Sequence, residues 1–248
     1  MSHFPKLVRK LLPASLILAA LPVAAHAADI APEPVDTNST VIWAGVAFQD
    51  EAIAAHAGGL WAANGDLDAS GFMFRGQVVY VDFDFDSDNG DDGEGEIARG
   101  NASVGYQFAG DGVALSLFAG LDVQEVDIDP DDDTDLDDEV GLIVTARLAT
   151  NGATDVPMSL EGNYSTANDM YWARARVGYR FDQFALGPEF AVLGNSGFDA
   201  YRIGGYVQVS FDPVIIELNA GYHDGDSEGD DANAYNGLYG GATAVFVF

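Results

Sequence analysis

The chain has 248 residues and a formal net charge of −30, from ten basic and forty acidic side chains, yet it is 48% hydrophobic and contains no cysteine. That charge repels nucleic-acid phosphates, and the absence of thiols excludes a disulfide scaffold, a Cys-ligated zinc site and a thiol nucleophile. An aromatic content of 11% argues against a disordered polyanion.

Residues 1–27 read as a secretory signal peptide. Lys6, Arg9 and Lys10 lead, Leu11 to Ala24 is apolar, and Ala25-His26-Ala27 is a small-residue cleavage site. This leader takes three of the ten basic residues and none of the acids, so the exported chain keeps seven Arg and no Lys. Residues 28–39, with Pro32 and Pro34, form a flexible lead-in, and 40–248 form a single domain.

No later segment is apolar enough to span a membrane as a helix. What recurs is alternation, which puts successive side chains on opposite faces of a strand. In 172–181, Arg174, Arg176, Gly178 and Arg180 share one side, while Ala173, Ala175, Val177, Tyr179 and Phe181 share the other. A helix would scatter these arginines. The same reading gives twelve strands, near 40–49, 52–63, 70–85, 95–109, 113–126, 138–150, 156–165, 170–181, 184–193, 199–211, 214–222 and 235–248. Several exceed the roughly 5–6 residues of soluble sheets and match the about 9–11 needed to cross a bilayer at a tilt. The tight links at 110–111, 182–183 and 212–213 fall on one side of the assembly, and the long acidic links at 86–94, 127–137 and 223–234 on the other. Short inner turns and longer outer loops are the asymmetry of outer-membrane barrels. The expected fold is all-β, a closed antiparallel up-and-down transmembrane β-barrel of twelve strands, with ten as the alternative if the first hairpin region is misread. Lipid forbids an open sheet edge, so closure is required.

The last segment, Thr243-Ala-Val-Phe-Val-Phe248, resembles the C-terminal signal by which Gram-negative outer-membrane barrels are recognised for assembly, with Phe246 and Phe248 as its aromatic positions. Outer-membrane lipid, lipopolysaccharide and the barrel assembly machinery are then the expected partners. Ser165-Thr-Ala-Asn-Asp-Met-Tyr-Trp-Ala-Arg-Ala-Arg-Val-Gly-Tyr-Arg-Phe181, Leu186-Gly-Pro-Glu-Phe190 and Leu193-Gly-Asn-Ser-Gly-Phe-Asp-Ala-Tyr-Arg-Ile-Gly-Gly-Tyr206 resemble the core of the bacterial cellulose biosynthesis protein BcsS family. The resemblance implies an outer-membrane barrel without ascribed catalysis, tied to cellulose production or export, with cellulose or cellulose-secretion proteins as further partners.

The candidate site is the polar face. Arg75, Arg99, Arg147, Arg174, Arg176, Arg180 and Arg202 all read as lumen-facing, as do Glu161, Glu189 and Glu217. A charge toward lipid at mid-depth costs about 2–4 kcal/mol, which explains this segregation. One reading is an ion-pair network that fills a narrow barrel, since guanidinium pairs bidentately with carboxylate. The other is an arginine-lined diffusion channel for acidic oligosaccharides. Asp84, Asp86 and Asp88 sit at alternate positions that hard Ca²⁺ favours, but Asn89 stands where an EF-hand loop needs Gly, so a solvated loop is the simpler reading. Trp43, Trp61, Tyr164, Tyr171, Trp172, Tyr179 and Phe181 are expected as interfacial girdle residues. The two histidines of the exported chain, His56 and His223, lack a recognisable nucleophile motif nearby and read as surface-exposed or packed side chains. The sequence therefore points to a non-enzymatic protein without a cofactor.

Overall fold

The computed structural model describes residues 38–49, 52–86, 92–129, 136–151, 154–196, 198–227 and 235–248. Residues 1–27, expected as a signal peptide, and nearly all of the expected lead-in 28–39 lie outside these residues. The described chain is almost entirely strand: β1 Thr40–Gln49, β2 Ala52–Ala62, β3 Gly71–Asp86, β4 Asp92–Ala109, β5 Val113–Asp129 and β6 Glu139–Thr150. There follow β7 Met158–Ser165, β8 in two parts (Tyr171–Val177 and Tyr179–Phe181), β9 Phe184–Asn195, β10 Phe198–Phe211, β11 Val214–Ser227 and β12 Tyr235–Val247.

Each strand pairs antiparallel with its sequence neighbours, and β12 pairs with β1 from Val41↔Val247 to Gln49↔Tyr239. The ring is closed. At the seam the Phe248 amide donates to the Thr40 carbonyl at 2.8 Å, and the Thr40 amide donates to the Phe248 carbonyl at 2.9 Å. This near end, which holds Thr40 and Phe248, carries the two-residue turns at 182–183 and 212–213. The interruption of β8 at Gly178 has a local cause. Gly178 and Gly187 lie side by side on the inner face, and a Cβ on Gly187 would stand 2.0 Å from the Val177 carbonyl oxygen. Two bare backbones there leave room for the buried ring of Tyr206, whose hydroxyl lies 2.3 Å from the Cβ position of Gly178.

The exterior is a belt of exposed aliphatics and aromatics, with Val46, Phe72, Leu117, Leu121, Val144, Phe190, Ile203 and Leu218 all outward. Exposed apolar surface of this extent is sustained only against lipid or a partner. The oily phase of the alternation thus faces out.

Three features differ from the expectation. Strands β4, β5 and β11 run further toward the far end, so part of the acidic sequence expected in outer links is sheet: Glu94 pairs with Asp84 and Asp129, and Asp127 pairs with Glu96. The reason is that alternation persists there, with Phe83, Ile97 and Ile128 packed inward beneath these acids. Trp43 and Trp172 are not girdle residues. Both are 1% exposed inside the barrel, because Trp43 shares the phase of Val41 and Trp172 that of Arg174 and Arg176. The inner face is also not uniformly small and polar. Apolar clusters occupy it at both ends: Phe83, Ile97, Met170, Trp172, Leu193 and Phe198 at the far end, and Val41, Trp43, Met73, Phe118, Ile215 and Val245 at the near end.

Candidate functional site in the barrel interior

Between the two apolar layers lies a band of buried charge. Alternation carries each of its side chains inward, and cross-strand register then sets which ones meet. Glu189 on β9 stands opposite Arg176 on β8, and Arg174 stands opposite Glu161 on β7. Glu217, on β11, stands opposite Gln208 on β10.

The centre is a four-residue group. Arg176 binds Glu189 through Nε and Nη2 and reaches Glu217 Oε2 through Nη1 at 2.7 Å. Arg174 Nη1 lies 3.7 Å from Glu189 and 3.8 Å from Glu217. Asn219 Nδ2 and the Tyr239 hydroxyl donate to Glu189 Oε1 at 3.1 and 3.2 Å, and Gln208 Nε2 donates to Glu217 Oε2 at 3.1 Å. Two cations and two anions thus neutralise one another, with most remaining acceptor sites occupied. The faces of these guanidiniums are covered as well: Arg174 lies over Trp172 at 5.2 Å and Arg176 over Tyr206 at 4.7 Å. Arg202 donates to Gln49 Oε1 and rests over the Tyr239 ring at 5.2 Å.

A second group joins the strands to a cap at the far end. Arg99 Nε donates to both oxygens of Asp122, at 2.8 and 3.0 Å, and the Ser165 hydroxyl donates to Asp122 Oδ2 at 2.6 Å. Gln124 Nε2 extends this to the carbonyl of Ala167, at 3.2 Å. A short 3₁₀ turn, Ala167–Asp169, therefore folds over the mouth. Its Asn168 has φ 51°, a left-handed conformation that Asn tolerates, and its amide donates to Glu139 Oε2 at 2.7 Å. Asn168 Nδ2 then reaches Gln124 Oε1 and the Asp137 carbonyl, both at 3.1 Å.

A third group lies toward the near end. Arg75 pairs with Glu161 at 3.6 Å and donates to Thr145 and Gln77, while Arg147 lies on β6 opposite Glu161. Arg180 sits half-buried on the inner phase beside the near-end turn, apart from the other arginines.

Asp84 and Asp86 lie in β3, in register with Glu94 and Asp92, and Asp88 lies outside the described residues. Among the described residues no group of three or more His, Asp or Glu side chains is arranged to hold a metal ion. The two described histidines, His56 and His223, are buried; His56 Nε2 lies 3.4 Å from the Thr243 hydroxyl. Phe246 and Phe248 are exposed on the outer surface beside the seam.

Sequence reasoning passed over Asp122, Ser165, Gln124 and Asn168. The first three have the inward parity of their strands and were legible to that extent; Asn168 sits in a turn, where parity gives no direction.

The family model for cellulose biosynthesis protein BcsS matches residues 41–248, the whole of the barrel. The chain belongs to this family. Of the matched BcsS region, segment 165–206 alone supplies the cap, Arg174, Arg176, Glu189 and Arg202. No curated protein matches the chain. Among solved structures, the KdgM porin in complex with disordered oligogalacturonate is similar, with a TM-score of 0.46 and 11% identity over 84% of this chain and 99% of that one. LpxR from Salmonella typhimurium gives 0.49 and 14% over 85% and 100%. The β domain of the Bordetella autotransporter Brka gives 0.44 and 13% over 85% and 99%.

Proposed function

We infer that this BcsS barrel sits in the Gram-negative outer membrane as a closed, non-catalytic partner of cellulose secretion, not as a conduit. The observation that carries this reading is the filling of its interior. A hydrogen-bonded cap, an apolar layer, a neutralised ion-pair layer and a second apolar layer follow one another along the axis. Side chains fill barrels of roughly eight strands; here the large inward residues Trp43, Phe118, Trp172, Tyr206 and the arginines occupy the interior of a twelve-strand ring and leave its contacts to the outer surface and the far rim. The buried, inward placement of His56 and His223 gives acid–base catalysis at the rim no histidine. Outer-membrane lipid and lipopolysaccharide are the expected neighbours of the belt. The outward Phe246 and Phe248 suit a C-terminal strand read by the barrel assembly machinery.

Planar-bilayer recording tests the reading. The purified barrel is expected to pass no steady current, and deletion of its gene is expected to lower extracellular cellulose. A steady anion-selective current, weakened by Arg174→Ala and Arg176→Ala, would instead establish the arginine-lined channel for acidic oligosaccharides.

A further inference from the structure

The buried charges of the described interior do not balance: Arg202 is held by Gln49 and the Tyr239 ring without a salt bridge to a carboxylate, and a second excess lies in the near-end group. The Arg99–Asp122 pair is neutral, and so is the central group of Arg174 and Arg176 with Glu189 and Glu217. The near-end group is not: Arg75 and Arg147 share one carboxylate, Glu161, and that carboxylate is ion-paired to Arg75. Arg147 is 9% exposed, and its Nε and Nη2 have no hydrogen-bond partner. The indole Nε1 of Trp43, buried beside it, is likewise unpartnered.

These groups wall a cavity of about 30 Å³, together with Thr145. The Thr145 oxygen accepts from Arg75 Nη1 at 3.3 Å, which leaves its own O–H free to donate. The cavity wall therefore offers donors from Arg147, Trp43 and Thr145 against one unpartnered acceptor, Glu161 Oε1. It also carries one net positive charge. An uncompensated buried charge costs several kcal/mol, and buried donors without partners add to that cost. Water could accept the hydrogen bonds but leaves the charge in place. A space of this size, two to three times the roughly 10–15 Å³ that a cavity needs to hold one water, is too small for phosphate, sulfate and sugar acids. Trp43 and Phe118 belong both to the near-end apolar layer and to the cavity wall.

We propose that the cavity bounded by Arg147, Arg75, Trp43 and Thr145 binds a single monatomic anion of the halide class, which balances the charge of this near-end group. The site is structural, and it stands whether the protein acts as partner or as channel.

The test uses the folded barrel in detergent, exchanged into sodium gluconate, whose anion is too large for the cavity. Sodium chloride or bromide then replaces gluconate at constant ionic strength while the thermal unfolding midpoint is read. A saturable rise of several degrees with either halide is expected. Arg147→Met should abolish the dependence, whereas Arg180→Met, away from the cavity, should keep it. Should Arg147→Met fail to fold, Trp43→Phe and chloride-35 NMR line broadening on the unaltered barrel carry the test, with weakened dependence and specific broadening expected. Equal midpoints in halide and gluconate, an unchanged halide effect in the Arg147→Met or Trp43→Phe barrel, or no specific broadening would overturn the proposal and leave the cavity to water.

Discussion

Residues 28–248 contain arginine but no lysine, and every described arginine except Arg180 is buried in the interior. Burial of ions is costly, so the central group persists through mutual neutralisation rather than adding net stability. Removal of one partner should therefore cost far more than removal of a matched pair. Glu189→Gln leaves Arg174 and Arg176 facing Glu217 alone, and it is expected to destabilise the barrel by about 3–5 kcal/mol, measured by denaturant unfolding from detergent. The double change Arg176→Met with Glu189→Leu keeps Arg174 and Glu217 as a balanced pair, and it should recover most of that loss. Equal losses for the single and double variants would mean that hydrogen bonding to Glu189, not its charge, holds this layer.

At the scale of the strand, pleat parity decides orientation and glycine decides approach. In β9 the run Leu186-Gly-Pro-Glu-Phe190 turns Glu189 inward, and Gly187 lets the backbone of β8 come close. A Cβ at Gly187 would meet backbone atoms only, the Val177 carbonyl at 2.0 Å and Gly178 Cα at 2.6 Å. Gly187→Ala should therefore shift the strand pair and cost about 1–3 kcal/mol. Gly59 provides the contrast, because the nearest atom to its Cβ position is the Val41 carbonyl oxygen at 3.5 Å. Gly59→Ala should be neutral or slightly stabilising in the same unfolding assay, since alanine restricts the unfolded chain more than glycine does.

At the scale of the molecule, the barrel inverts a soluble fold: its oily phase looks out, and its charge looks in or stands at the far rim. Leu117, four residues into β5 and outward, belongs to the belt, whereas Asp127, on the same strand and the same phase, belongs to the acidic rows beyond it. Leu117→Arg should cost about 2–4 kcal/mol in lipid vesicles and slow insertion. Asp127→Arg should cost nothing and gain slightly, because it places a cation beside Glu96 in place of a like charge. Similar penalties at both positions would show that the exterior does not meet lipid at the depth its residues imply.

The alternation of 172–181, the parity of link lengths and the confinement of arginine to one phase pointed to the closed barrel and to the inward direction of its charges, and left the strand number between twelve and ten until the structure gave twelve. They suffice because pleat geometry is local: each side chain's face follows from its neighbours two residues away. Trp172 obeys the same rule: its parity with Arg174 turns it inside, against the girdle position expected of it. What only the tertiary structure decided is which inward side chains meet. Arg176 pairs with Glu189 across one strand boundary but reaches Glu217 from a strand more than forty residues away, and the turn bearing Asn168 closes the mouth through partners on β5 and β6. Those contacts depend on the curvature and closure of the ring, which bring strands distant in the chain across a shared interior.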